Sequence, residues 1–145
     1  MIHKSRLNSD IQSCRGVTLI ELLVVMIVVG LLSSIAYPSL QRHILKAHRV
    51  QAMSDLMAIQ MQLEMNYSGS YDLSLIADHS CSICESDIER YRISYSMGSG
   101  VNRYRLIATP QAGSTQNVDQ CGVLSINAAG VRQAHQGGES VDGCW

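Results

Sequence analysis

The sequence contains no phenylalanine, one tryptophan and two prolines among its 145 residues. Tyrosines and aliphatic side chains must therefore supply any hydrophobic core, which limits that core to a small domain. The formal net charge is −1, so the chain as a whole lacks the positive excess that is typical of nucleic-acid-binding proteins. Its length suits one globular domain with an extension.

Catalytic motifs are also missing from the sequence. It has no Ser/His/Asp grouping at a recognisable turn, no phosphate-binding glycine loop and no carboxylate pair placed for acid–base chemistry. His135 and Glu139 come close only within a glycine-rich tail, where chance proximity explains them. We therefore expect a structural or binding protein that is not an enzyme, with no catalytic residue, no metal and no cofactor.

One long apolar run, from Val17 to Ala36, contains a single charged residue, Glu21. A helix of about twenty residues is about 30 Å long, which matches the hydrocarbon thickness of a bilayer. A carboxylate in such a helix is costly when it faces lipid, so Glu21 is a candidate functional residue that needs a partner. The basic residues before the run, Lys4, Arg6 and Arg15, favour a cytoplasmic location for the N-terminus.

Three interpretations fit this run: a secretory signal cut after Ala36, an uncleaved membrane anchor, or a prepilin signal. Secretory signals have shorter apolar regions and carry no acid, and a plain anchor leaves Glu21 unexplained. The sequence Gly16-Val17-Thr18-Leu19-Ile20-Glu21 resembles the processing signal of type IV pilins and type II secretion pseudopilins.

This resemblance implies that prepilin peptidase removes residues 1–16, the leader, and N-methylates Val17. The family usually has phenylalanine where this chain has Val17. Glu21 would pair with the terminal amine of a neighbouring subunit in a filament, since a buried unpaired charge is costly. Gly30 and Pro38 would kink or loosen the helix.

The helix is predicted to cover residues 17–66. Residues 17–44 form its transmembrane and filament-core half, and residues 45–145 form a periplasmic head. Within the head, the helix 45–66 is amphipathic and packs an apolar stripe on a sheet. The stripe contains Leu45, Ala52, Leu56, Ile59 and Leu63. Four methionines at intervals of four residues, from Met53 to Met65, are expected to fill the core and its flank.

A connecting loop is predicted at residues 67–89 and a sheet at residues 90–127. Residues 90–109 alternate between apolar and polar side chains around the turn Gly98-Ser99-Gly100, which indicates a β-hairpin, and residues 121–127 give a third strand. On the inner face of the hairpin we expect Tyr91, Ile93, Tyr95 and Met97. Residues 128–145 are predicted to be a C-terminal loop.

The leader would take Cys14 with it, which leaves an even number of cysteines. The Cys-x-x-Cys motif near His79 could suggest zinc or a redox dithiol, but an exported domain favours two disulfides. Three connectivities are open. Related pilins close a C-terminal loop with a disulfide, which implies a bond between Cys121 and Cys144 and leaves Cys81 with Cys84. A crossed pairing stays open.

Four arginines flank or occupy the predicted hairpin: Arg90, Arg92, Arg103 and Arg105. A solvated outer face is the simplest interpretation. The alternatives are a basic stripe for DNA phosphates, as in the DNA-uptake pilins of competent bacteria, or a subunit interface.

Three further stretches, residues 104–111, 121–124 and 143–145, are similar to PilE-type minor pilins of type IVa pili. The resemblance implies an α+β pilin fold, with a long N-terminal helix on a small antiparallel sheet and a disulfide-closed C-terminal loop. It also implies a minor pilin that serves pilus assembly or initiation, adhesion and twitching motility. Major pilin and type II secretion pseudopilin are the alternatives.

The implied partners are other pilin subunits, prepilin peptidase and the inner-membrane assembly platform, with DNA as a further possibility. The implied location is the inner membrane and then the surface pilus of a Gram-negative bacterium.

Overall fold

A computed structural model describes residues 16–77, 80–100 and 103–145. It contains one helix, α1 (Leu19–Met65), and a 3-10 helix (Thr115–Val118). The strands are β1 (Ile76–Ala77), β2 (Ser80–Cys81), β3 (Tyr91–Met97), β4 (Tyr104–Pro110), β5 (Val123–Asn127), β6 (Arg132–Gln136) and β7 (Glu139–Ser140). The predicted α+β class is confirmed. Most of the leader, including Cys14 and its basic residues, and His79 lie outside the described residues.

The chain divides into two compact units after Pro38. In the first unit, α1 begins behind Thr18, whose Oγ1 accepts a hydrogen bond from the backbone N–H of Glu21 at 3.3 Å. An 18-residue window of α1 has a mean hydropathy of 2.6, and none of its residues is buried within the structure. Its length and composition are those of a membrane-spanning helix. Both Gly30 and Pro38 lie within α1.

The second unit contains the core. Four of the five predicted stripe residues of α1 are fully or almost fully buried, while Leu45 is only partly buried. They belong to one cluster with the inner face of the sheet, which includes Tyr91, Tyr104, Leu106 and Leu124. The amphipathic half of the helix therefore packs as its 3.6-residue period indicates.

The main sheet is antiparallel in the order β3-β4-β5-β6-β7, and β1 pairs with β2 in a separate two-stranded sheet. The hairpin register pairs Ile93 with Ala108 and Tyr95 with Leu106. Tyr95 and Met97 differ from the prediction, because they are 42% and 63% exposed. Tyr91 and Ile93 on the same face of β3 are buried, so the core covers only the first half of this strand, and Tyr95 and Met97 lie in its uncovered second half.

The sheet also extends beyond Asn127, into the segment predicted as a loop. β6 and β7 escape detection because Ala134 is the only buried apolar residue in either strand, which leaves no apolar alternation to read. Gly122 lies against His135 with φ of 53°, and a Cβ at Gly122 would overlap the carbonyl oxygen of His135. Only glycine permits this close approach.

Two disulfides fix the loops of the second unit. Cys121 pairs with Cys144, which confirms the predicted C-terminal bond, and Cys81 pairs with Cys84. Trp145 continues the attachment of the C-terminus, because its Nε1 donates a hydrogen bond to the carbonyl oxygen of Gln133 at 2.9 Å. The tail is thus held by a covalent bond, by sheet pairing and by an indole hydrogen bond.

Loss of the Cys121–Cys144 bond should destabilise the head more than loss of the Cys81–Cys84 bond. The first bond spans 23 residues of sequence and the second spans 3. Chain-entropy arguments then give about 3 kcal/mol for the first and roughly half of that for the second. Urea unfolding of the fragment 39–145 carrying C121S/C144S, with C81S/C84S as the matched control, measures both. An equal or reversed order would contradict the expectation.

Candidate functional site

The predicted processing site precedes the helix. Gly16 and Val17 are exposed and lie outside the helical segment. A Cβ added at Gly16 would meet no other described atom within 4 Å, so packing does not require glycine at this position. An exposed, non-helical bond with no side chain on one side is sterically accessible to a peptidase.

Glu21 lies in the first turn of α1, three residues after Thr18. The pattern Thr-x-x-Glu is that of a capping box, in which the threonine hydroxyl satisfies the backbone N–H of the glutamate. A negative charge in the first turn is also favourable to the helix dipole. Glu21 therefore has a local role at the helix start in addition to the assembly role implied by the resemblance.

A buried ion pair, which the sequence did not suggest, joins α1 to the segment before β5. Arg49 Nη1 donates a hydrogen bond to Asp119 Oδ1 at 2.6 Å and lies 2.7 Å from the Sγ of Cys121. The side chains of Arg49 and Asp119 are 10% and 2% exposed. Arg49 falls on the same helical stripe as Leu45, Ala52 and Leu56. A basic residue within an apolar helical stripe indicates a buried charge that needs a partner, and this signal could have predicted the ion pair from the sequence.

Gln116 completes this network. Its Nε2 lies within hydrogen-bonding distance of Asp119 Oδ2 (2.8 Å), of the Tyr91 hydroxyl (3.1 Å) and of the Leu45 carbonyl oxygen (3.1 Å). Burial raises the pKa of Tyr91 to about 12, and the neighbouring Asp119 carboxylate acts in the same direction. The phenol therefore stays neutral at physiological pH, and the network links α1, β3 and the 3-10 helix.

A second carboxylate, Asp55, is also buried, although it is not one of the five residues of the predicted apolar stripe. Its Oδ1 accepts a hydrogen bond from the backbone N–H of Glu85 at 3.1 Å, and its Oδ2 accepts one from Ser86 at 2.8 Å. These bonds compensate for the loss of water around the charge. Asp55 thus attaches the segment that follows the Cys81–Cys84 disulfide to α1.

The structure separates the four predicted arginines. Arg92 and Arg105 lie on paired strands, outward and exposed, away from the core cluster. Arg90 donates a hydrogen bond to the Thr115 hydroxyl at 2.9 Å and forms an ion pair with Asp87 at 3.6 Å. Arg103 donates to the Tyr67 hydroxyl and lies over the Tyr67 ring at 5.4 Å. Only Arg92 and Arg105 thus share the outer face, and the register places them apart, with Arg92 opposite Thr109 and Arg105 opposite Ser96.

Arg105 also borders a groove of about 360 Å³ on this face. Its lining combines the side chains of Arg105 and His135 with Ile107, Val123 and the glycines of the β6–β7 turn. The groove therefore combines the charge of Arg105 with the apolar side chains of Ile107 and Val123 and with glycine backbone. The outer face is therefore not a uniformly charged stripe.

Comparisons with known proteins identify the family of the chain. Residues 38–125 match the family described as type IV minor pilin ComP, DNA uptake sequence receptor, and residues 11–37 match the prokaryotic N-terminal methylation motif. The first match covers more than half of the chain, and the second covers the predicted processing site. These features are those of a type IV pilin, which confirms the resemblance. The chain belongs to the ComP family of type IV minor pilins.

Curated relatives match over a shorter length. The chain is 41% identical over 51 residues to the type II secretion system core protein G of Dickeya chrysanthemi and 39% identical over 51 residues to that of Escherichia coli strain K12. Each match covers 35% of this chain, and the chain spans about a third of the length of these relatives (33% and 35%).

A solved type IV pilin from Shewanella oneidensis is similar with 26% identity and a TM-score of 0.48. The match covers 70% of this chain and 97% of that one.

Replacing Arg49 by methionine should destabilise the head by about 3–5 kcal/mol, because Asp119 would remain buried without its cation. The double variant R49M/D119L should recover part of this loss, since no unpaired charge remains but the buried Cys121 N–H loses its acceptor. Urea unfolding of the fragment 39–145 measures both, with the exposed K46M as the control on the same helix. If R49M were as stable as K46M, the ion pair would not be what holds the segment before β5 against α1.

Proposed function

We propose that this chain is a minor pilin, a structural subunit that prepilin peptidase processes after Gly16 and that takes part in the assembly or initiation of a type IV pilus. The match of residues 38–125 to a minor pilin family carries the proposal. The methylation motif and the apolar first half of α1, none of which is buried, support it. Adhesion and twitching motility are the activities that such a fibre would serve.

The subunit would work in two environments. In the inner membrane of a Gram-negative bacterium, the apolar half of α1 would sit in lipid with the head in the periplasm. The assembly platform would then transfer it to the filament, where the same surface packs against other pilin helices. Glu21 would meet the methylated amine of Val17 on a neighbouring subunit, and the cost of a buried unpaired carboxylate would set the register.

Sheared fibres test this proposal directly. We expect the chain in the fibre fraction to begin at methylated Val17, as measured by intact mass and N-terminal sequencing. G16V should retain the leader and stay in the membrane, because a branched side chain obstructs the scissile bond. E21Q should be cleaved yet depleted from fibres, whereas the exposed head variant E139Q should behave like the wild type.

A chain that begins at Tyr37, or fibres that contain uncleaved G16V, would contradict this function. The amount of the chain relative to the main fibre subunit separates a minor from a major pilin. A fibre-free, membrane-bound chain that supports protein secretion would favour a pseudopilin.

A second candidate function is DNA binding during uptake, which the description of the matching family favours. On the structure, Arg92 and Arg105 are exposed on the outer face of the sheet and supply two positions for phosphate contacts. The chain has no overall positive charge, so any DNA affinity would depend on local cations such as these two.

Binding of duplex DNA to the fragment 39–145 tests this candidate. R92Q/R105Q should weaken binding and lower the slope of log K against log salt by about 2, because each lost phosphate contact removes about one unit. R42Q/K46Q removes the same charge from α1 and is the matched control. Absence of binding at low salt, or equal loss in both variants, would contradict a site on the outer face.

A further inference from the structure

A surface cup in the second unit lies between α1 and the segment that follows the 3-10 helix. Its volume is about 330 Å³, and its polar lining includes Arg42, Lys46, Arg49 and Gln120. The hydrogen bond from Gln116 to the Leu45 carbonyl oxygen keeps the segment docked beside the helix. The two walls of the cup are thus joined by contacts that belong to the folded core.

The cup carries a net positive charge. Asp119 is its only acidic lining residue, and both of its carboxylate oxygens are engaged. Oδ1 accepts from Arg49 and from the backbone N–H of Cys121 at 2.9 Å, and Oδ2 accepts from Gln116. Arg49 and Asp119 therefore neutralise each other, while Arg42 and Lys46 are exposed cations. An anion entering the cup meets two charges that no lining carboxylate balances.

Arg49, the third basic residue of the lining, differs from Arg42 and Lys46 because it is buried. The residue is 8% exposed, and its Nε is buried with no hydrogen-bond partner among the described residues. A buried guanidinium N–H without an acceptor is costly, and folded proteins normally satisfy such groups. Because this Nε has almost no exposed surface, an anion in the cup would contact Arg42 and Lys46 and not the Arg49 Nε.

Two further features favour a lipid as the source of that anion. Val118 also lines the cup and is 75% exposed, so an apolar side chain is available to a ligand beside the cations. Arg42 follows Ala36, the end of the apolar run, by six residues. Long basic side chains near the end of a membrane-spanning helix reach the headgroup layer, and an aliphatic residue beside them can contact acyl chains.

We propose that this cup binds the phosphate of an anionic phospholipid headgroup in the periplasmic leaflet while the subunit waits in the membrane. The idea rests on the membrane-anchored state of the proposed function. Arg42 and Lys46 would hold the phosphate, and Val118 would lie against the lipid. Release of the lipid would then accompany transfer of the subunit into the filament.

Lipid retention by the full chain tests the proposal. Nanodiscs with equal amounts of phosphatidylglycerol and phosphatidylcholine, with identical acyl chains, present both headgroups, and native mass spectrometry counts the lipids that stay bound. We expect the wild type to retain one phosphatidylglycerol. R42Q/K46Q should reduce the ratio of phosphatidylglycerol to phosphatidylcholine roughly 30-fold, the effect of two basic residues near an anionic surface.

The matched control is R92Q/R105Q, which removes the same charge from the sheet and should keep the wild-type ratio. Equal loss in both variants, or an unchanged ratio in R42Q/K46Q, would overturn the proposal. V118S should lower lipid retention without changing stabilisation of the chain by inorganic phosphate in lipid-free micelles. Stabilisation by inorganic phosphate equal to that by phosphatidylglycerol, or displacement of the lipid by a DNA duplex, would also overturn it.

Failure of the lipid site can be distinguished from failure of the proposed minor pilin function. A chain that enters nanodiscs without headgroup preference, and is still found in sheared fibres, would remove the lipid site and leave the minor pilin intact. A chain that fails to enter nanodiscs at all would instead contradict the membrane anchor, and the lipid site with it.

Discussion

The buried pair of Arg49 and Asp119 is the interaction on which the arrangement of the head depends. It joins a residue of α1 to one seventy positions later in the chain, at the point where the chain turns into β5. Burying two charges is costly, and only close geometry with further hydrogen bonds compensates for that cost. Gln116 and the backbone N–H of Cys121 supply those bonds. The pair therefore fixes where the segment docks, although it does not drive folding by itself.

The hydrophobic core and this polar network have different tasks. Ala52, Leu56 and Ile59 bring the helix onto the sheet, and burial of apolar surface does not depend on exact position. Arg49 sets the position, because its guanidinium has to meet one carboxylate at hydrogen-bonding distance. The Cys121–Cys144 bond lies next to the same network, with Cys121 Sγ in contact with Arg49. The Arg49–Asp119 ion pair, the Cys121–Cys144 disulfide and the 3-10 helix thus lie close together in the head.

Much of this fold could be predicted from the sequence, because its signals are local. The apolar run, the stripe on α1 and the alternation in β3 and β4 are repeats of side-chain type, and each one gave the correct element. β6 and β7 could not be found in this way, since their residues are polar on both faces apart from Ala134. Their pairing depends on Gly122, Gly130 and the turn at Gly137–Gly138, whose meaning appears only in three dimensions.

The candidate sites were harder to predict than the fold. The processing motif is a short contiguous pattern, so the sequence locates it directly. The four arginines show the opposite case, because strand register decides which side chains share a face. Arg92 and Arg105 face outward together, whereas Arg103 is held by Tyr67 and Arg90 by Asp87 and Thr115. The ion pair and the cup around it join residues from distant segments, which no local pattern could bring together.

The distribution of charge along α1 fits the two environments proposed for the helix. Between Val17 and Ala36 the only charge is Glu21, because each further charge would be costly in lipid and in a filament core alike. Beyond Ala36 the next charges are basic, at Arg42, Lys46 and Arg49, and the carboxylates Asp55 and Glu64 follow only after them. A juxtamembrane cation is favoured by anionic headgroups, whereas a carboxylate there would be repelled. The order of signs along one helix is therefore consistent with a head held close to a lipid surface before assembly.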